Sequence, residues 1–276
     1  MARSRFRVVT DSTADLPEAW RKQYGIEVVP LRVHFGNETY KDGVDLTNKE
    51  FFEKLAAAAE LPKTSAPSPG DFAEVYERLR KECDGVVSIH LGSNLSATVE
   101  SARLGAQAVA GFPVEVVDTR SVTMAMAFLC QIAAQAADLD SAVAACEERL
   151  DRLAVLALLD TLRYLQMGGR IRKVEYWVGS VLDFKPVVKL EGGPIEPIDR
   201  PRTRARGLKS LLEHFRADLP VERVGVMHAQ APADAERVRE ELQKELPDVP
   251  IEIGVTGAVL GTHTGPGAVG LCYIRK

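Results

Sequence analysis

Two short stretches hold most of the residues whose types and spacing suit ligand chemistry. Lys63-Thr64-Ser65-Ala66-Pro67-Ser68-Pro69-Gly70 packs hydroxyls between prolines, which hold donors in place so that little entropy is lost on binding. Leu91-Gly92-Ser93-Asn94-Leu95-Ser96 falls where a strand should end and a helix begin, so its backbone N–H groups and hydroxyls favour an anion. Turn and helix capping is the competing explanation for both. Together with His263, in a Gly- and Thr-rich turn, they describe a neutral cradle suited to a carboxylate or a phosphate. A second chemistry is open to the same residues. Ser93 or Ser96 with His263 and Asp11 or Asp118 forms a Ser-His-Asp set on paper, although no GxSxG elbow presents a nucleophile.

Other motifs carry less. Gly265-Pro266-Gly267-Ala268-Val269-Gly270 satisfies GxGxxG but lacks the strand before it, the helix after it and the later acidic residue of a dinucleotide fold. No GxxxxGK[ST] occurs, which excludes a P-loop. The histidines at 34, 90, 214, 228 and 263 and the cysteines at 83, 130, 146 and 272 lack ligand spacing, so neither a metal nor a cofactor is expected and the thiols read as buried and reduced. Arg200, Arg202, Arg204, Arg206 and Lys209 form the sharpest charge cluster, and Arg170, Arg172 and Lys173 follow a double glycine. A solvated face is the ordinary meaning of such runs. In a chain of net charge -4 they also suit an acidic partner, a phosphate-bearing partner or an anionic bilayer, while general nucleic-acid binding is not expected.

The elements that must position these groups follow from periodicity. In 276 residues, 46% hydrophobic and 27% charged, two α/β domains are expected, 1–160 and 161–276, with a ligand between them. The first reads as a parallel sheet with flanking helices: strands over 7–10, 26–35, 85–91 and 114–117, and helices over 17–24, from the Thr47/Glu50 capping box to 60, over 71–83, from Ser96 as N-cap to 111, and from 121 on. Residues 61–70, with three prolines, read as a loop. The uncharged stretch 121–137 carries too many polar residues to span a membrane and reads as a buried helix. The second half reads as mixed α/β: a helix over 139–152, a strand over 153–159, a hairpin of 187–190 with 195–198, helices over 203–218 and 233–246 around a strand at 221–228, and strands over 251–255 and 268–274. The N-terminal residues lack the apolar stretch of a secretory signal, so a cytoplasmic protein is expected.

Six motifs in order then resemble a known family: Asp11-Ser12-Thr13-Ala14-Asp15-Leu16-Pro17, the loop 62–72, Ser93-Asn94-Leu95-Ser96, Val117-Asp118-Thr119, Gly168-Gly169-Arg170-Ile171 and His263-Thr264-Gly265-Pro266-Gly267. Over about 260 residues the chain is similar to the bacterial DegV-type fatty-acid-binding proteins. The resemblance implies two α/β domains clamping one long-chain fatty acid, its tail in an apolar tunnel. Thr64 and Ser96 would contact the carboxylate, with Ser65, Ser93, His263 and Thr264 completing the network. It implies a non-catalytic carrier that presents the acid to a separate fatty acid kinase, whose acyl-phosphate product feeds phospholipid synthesis. Arg170 and Arg202 would serve an outer face, for the kinase or for transient membrane contact. Two residues depart from the family pattern: Ala66 replaces a glutamine of TSQPSP, and Ala97 replaces the glycine of LSGT. The reading from residues alone keeps a serine-dependent lipid or acyl-ester hydrolase as the alternative.

Overall fold

A computed structural model of the chain describes residues 5–171 and 184–276. Strands β1 (Arg7–Asp11), β2 (Glu27–Val29), β6 (Val86–His90) and β7 (Val114–Asp118) form a parallel sheet in the order β2-β1-β6-β7. Strands β8 (Leu153–Leu158), β9 (Val187–Leu190), β10 (Glu196–Asp199), β11 (Val221–His228), β12 (Ile251–Val255) and β13 (Val269–Arg275) form a mixed sheet in the order β10-β9-β8-β13-β11-β12. Only β11 and β12 run parallel there. The expected mixed α/β architecture, with a parallel sheet first and a mixed sheet second, is therefore present.

One helix explains how the two sheets are joined. Helix α5 (Met124–Ala134) has no charged residue and packs against β1 and β6 on one side and β8, β11 and β13 on the other. A helix this apolar must be buried on most of its surface; all of it but Gln131, Ile132 and Ala134 is buried, and it is the shared core between the sheets. Period-2 alternation then sorts the second sheet. Val155, Met227 and Cys272 face α5 and the first sheet, whereas Leu156, Leu158, Leu271 and Tyr273 face helices α8 (Arg204–Arg216) and α9 (Pro232–Glu245).

Three local expectations change. The single strand over 26–35 is two strands, because Pro30 supplies no N–H to a ladder: β2 stays in the parallel sheet, and β3 (Arg32–Phe35) leaves to pair with β4 (Glu38–Lys41). The stretch read as a loop contains β5 (Lys63–Ser65), since β3 offers a free edge and Thr64 pairs with Val33 on it. Ser96 is not the N-cap: Ala97 is, ahead of α4 (Thr98–Ala108), and the Ser96 hydroxyl meets Thr98 Oγ1 at 2.9 Å instead of a backbone N–H. The Thr47/Glu50 capping box stands at the start of α2 (Asn48–Ala57), and a second box, Ser68 with Asp71, opens α3 (Pro69–Leu79).

Candidate functional site

Between the mixed sheet and the first half lies a cavity of about 1060 Å³, its open mouth included. Its wall is almost wholly apolar, and the mixed sheet contributes small residues to it: Ala157 of β8 beside Gly270 and Cys272 of β13. Other glycines in this sheet are covered. A Cβ at Gly225 would strike Met124 and one at Gly254 would strike Met227 and Met124, but one at Gly270 would meet the Leu156 carbonyl at 3.1 Å and then no side chain nearer than 3.9 Å. The sheet face is therefore open at the cavity and filled beside it.

The polar groups gather from three elements. Edge strand β5 presents Thr64 and Ser65. Helix α10 (Ala258–Thr264), which replaces the Gly-rich turn expected there, presents His263 and Thr264; three nearby glycines lowered its helix propensity enough to hide it. The turn after α7 (Arg163–Met167) presents Arg170. His263 Nε2 lies 2.9 Å from Thr64 Oγ1, across 199 residues of sequence. Its Nδ1 is buried without a partner, against Gly168, where a Cβ would come within 2.3 Å of it. That contact accounts for the first glycine of the pair, and a φ of 67° for Gly169 accounts for the second.

Burial first, and the Arg170 charge second, push the His263 imidazole down to about 4, so it is neutral at pH 7. The Arg170 guanidinium donates to the carbonyls of Leu95 (Nε, 3.2 Å) and Gly168 (Nη1, 2.5 Å), and among the described residues it forms no ion pair. Among the described residues the site thus holds one positive charge without an ion-pair partner, one neutral imidazole and a set of hydroxyls. This fits an anion with an apolar body.

The His263 shift has a testable consequence for stability. The unfolded imidazole takes its proton near pH 6.5 and the folded one only near 4, so acid between these values favours the unfolded chain. The contribution is fully present above pH 6.5 and falls away by roughly 3 kcal/mol as pH drops through 4. Asp15 and Asp42, whose carboxyls burial raises, act with the opposite sign because the folded state binds their protons more readily. The difference between wild type and His263→Gln in denaturant melts at pH 7 and pH 4.5 isolates the histidine; equal pH dependence in both proteins would refute its burial as a neutral ring.

The residues singled out by sequence separate here. Thr64, Ser65, Ser96, His263, Thr264 and Arg170 all line the cavity. Ser65 Oγ pairs with His34 Nε2 at 2.9 Å, a histidine that sequence reasoning had not linked to the site, and the Thr264 hydroxyl donates to its own helix at Leu260 O. Ser93 is exposed and absent from the wall; its backbone N–H donates to Asp118. Arg170, expected on an outer face, is half-buried at the cavity, whereas Arg202 is exposed. Arg204 is held internally by Asp160 and Asp234, and Arg172 and Lys173 lie outside the described residues. Thr13, Thr123 and Thr256 also line the wall and were missed; Thr13 lies in the first of the six ordered motifs, which was the available signal.

The Ser-His-Asp set written from sequence is not assembled. His263 Nε2 is engaged by Thr64, and Asp11 belongs to another histidine. A Ser-His-Asp chain does occur elsewhere: Ser88 Oγ lies 2.6 Å from His90 Nε2, and His90 Nδ1 lies 3.0 Å from Asp11 Oδ2. All three are fully buried, and none of them lines the cavity. With Tyr76 and Thr13 bonded to its ends, this chain braces the parallel sheet and the turn that carries Thr13.

Comparison with known proteins agrees with this geometry. A family model described as uncharacterised proteins of the DegV family matches residues 5–276. The chain is 35% identical to protein DegV of Bacillus subtilis over 278 residues, covering 98% of this chain and 99% of that one. It is 37% identical to a DegV domain-containing protein of Streptomyces coelicolor, covering 96% of each. Among solved structures, a DegV family protein from Thermus thermophilus described by its fatty acid binding superposes with a TM-score of 0.90 at 33% identity, over 99% of this chain and all of that one. DegV of Bacillus subtilis, described as a fatty acid binding protein, gives 0.87 at 34% identity over 99% and 100%. With that coverage by both sequence and structure, the chain belongs to the DegV family.

Proposed function

We propose that this protein binds one long-chain fatty acid in the cavity and carries it, tail buried, to a separate fatty acid kinase. The observation that carries the reading is the makeup of the cavity: an apolar wall with hydroxyls, a neutral histidine and the Arg170 charge gathered at one end. A carboxylate accepts hydrogen bonds and donates none. Thr64 and Ser96 therefore donate to it, and Thr64 in turn accepts from His263 Nε2–H, which leaves Nδ1 as the bare nitrogen against Gly168. Arg170 supplies the counter-charge. Ser65, held by His34, and Thr264 shape the same end, while Ser93 lies outside it. The lobe built on the parallel sheet and the lobe built on the mixed sheet, to which β8 belongs although it precedes residue 160, close on the tail.

The energies divide the work between the two ends. At about 0.8 kcal/mol per buried CH₂, an acyl chain of roughly sixteen carbons supplies on the order of 12 kcal/mol before the entropic cost of association. Each hydrogen bond to the charged head adds only roughly 1.5–3 kcal/mol. The tail thus sets affinity and the head sets orientation, which is what a carrier needs if another protein is to reach the carboxylate. Nothing in this role calls on a cofactor, and it belongs to a cytoplasmic protein. The hydrolase alternative loses its main support with the Ser–His pair unassembled.

Denaturing solvent extraction of the purified protein, with mass spectrometry of the lipid fraction, tests the reading: one equivalent of a long-chain acid is expected, and a protein that neither carries one nor takes up added oleate or palmitate would overturn it. Exposed Arg202 is the docking residue for the kinase or an anionic membrane. Arg202→Glu should leave the lipid content unchanged and slow phosphorylation of the bound acid several-fold, the scale of a lost rim charge. Unaltered turnover by the kinase would remove Arg202 from the interface.

A further inference from the structure

We propose that Asp15 and Asp42 are positioning residues: they clamp the first N–H groups of α10 from the opposite half of the molecule and so hold His263, and through it Thr64, in register with the ligand. The inference rests on the fatty-acid reading for its functional meaning, but its geometry stands independently.

Helix α10 has seven residues, too few to hold itself in water, and its N-cap is Gly257, which has no side chain with which to cap. The caps come from far away in sequence. Gly257 N donates to Asp15 Oδ1 at 2.8 Å and Ala258 N donates to Asp42 Oδ1 at 3.0 Å. A third contact ties this pair to the central helix: Thr123, the N-cap residue of α5, donates its hydroxyl to Asp15 Oδ2 at 2.7 Å. Thr123 itself lines the cavity. The join therefore links the turn after β1, the turn after β4, the start of α5 and the start of α10.

Two features argue that this join is held against a cost. Asp15 and Thr123 both have positive φ, 46° and 57°. Aspartate tolerates that region, but threonine is β-branched and does not adopt it without strain, so the surrounding contacts must over-determine it. The close approach is equally demanding. A Cβ at Gly257 would lie 2.9 Å from Asp15 Oδ1 and 3.4 Å from both oxygens of Asp42, so only glycine lets the two carboxylates reach the helix start together. Both carboxyls are raised by burial first and by neighbouring acidic groups as well, which is expensive for a simple cap that one serine or asparagine could supply. The pair has a lever to act through. At the far end of the same short helix, His263 touches Thr64 and packs on Gly168, so a shift of α10 moves the imidazole directly.

The test reads His263 directly. In ¹⁵N-labelled protein at pH 7.5 the wild-type His263 ring is expected to give one tautomer. Asp15→Ala and Asp42→Ala should turn this into an averaged pair and raise the dissociation rate of bound oleate by roughly tenfold, the scale of a lost cap. Asp15→Asn and Asp42→Asn keep an acceptor oxygen and should restore both readouts most of the way. Leu211→Ala, in the core under α8, controls for general destabilisation and should leave the His263 signals in place. If the alanine variants do not fold, Thr123→Val removes one bond from the clamp and should give a smaller change of the same kind. An unchanged His263 spectrum in the folded alanine variants, or in Thr123→Val if they fail, overturns the clamp. A wild type that holds no fatty acid, with His263 still responding to the clamp variants, would instead overturn the ligand reading and leave the clamp standing.

Discussion

Ala157→Leu should shorten the acyl chain that the protein retains. Ala157 lies on the cavity face of β8, opposite Gly270, so the two form a low step in the sheet between Val188 and Met227, which also line the cavity. The added three carbons project into space the tail would use, in a strand position that leucine tolerates. Displacing about three methylenes at about 0.8 kcal/mol each removes about 2.4 kcal/mol, so affinity for an eighteen-carbon acid should fall roughly 50-fold. A twelve-carbon acid, with six fewer carbons to accommodate, should lose far less. Competition between the two acids for the purified variant, read by mass spectrometry of the bound fraction, measures this. Equal losses for both lengths, or none for either, would mean that the tail does not lie along β8 and β13.

Arg170→Gln should have the largest effect on retention of the ionised acid. Among the described residues Arg170 is the cation of the cavity wall, and at pH 7 the imidazole beside it is neutral. A carboxylate drawn out of water beside a glutamine would be left without its counter-charge, a loss on the order of 3–5 kcal/mol, or roughly 10² to 10⁴ in affinity. The variant should recover part of its binding as pH is lowered toward the ordinary carboxylate range, because the protonated acid needs no counter-charge. Wild type should not behave this way. Arg170→Lys keeps the charge while losing the planar fork that spans the Leu95 and Gly168 carbonyls, so it should fall between the two. Full retention by Arg170→Gln would return this arginine to the outward docking role that its sequence context implies.

The two arginines show where sequence reading stops. Both stand in runs of positive charge, and both were expected outside. Arg202 is exposed, but Arg170 follows a turn in which Gly168 makes room for His263 and Gly169 takes a left-handed conformation, and that turn brings the side chain to the cavity. The serines divide in the same way. Ser93 and Ser96 are three residues apart in one stretch, yet only Ser96 reaches the wall, because Asp118 holds Ser93 through its backbone on the other side of the turn. Prolines misled in a different manner. Three of them within residues 61–70 argue for a loop, but three residues between them still pair with β3, since an edge strand needs only one partner.

What the sequence by itself determined was local or cumulative. The capping box at Thr47, the uncharged helix that had to be buried, the alternation of strands and helices in the first half, the hairpin in the second and six ordered motifs each depend on residues near one another along the chain. These are the distances over which caps, periodicity and propensity act. What only the tertiary structure decided was which hydroxyl meets the histidine, which arginine turns inward, and what caps α10. Thr64 and His263 are 199 residues apart, and Asp15 and Gly257 are 242. Such pairs are set by strand register, by the packing of both sheets on α5 and by the close approach that a missing Cβ allows, and none of these leaves a periodic trace in the residues it joins.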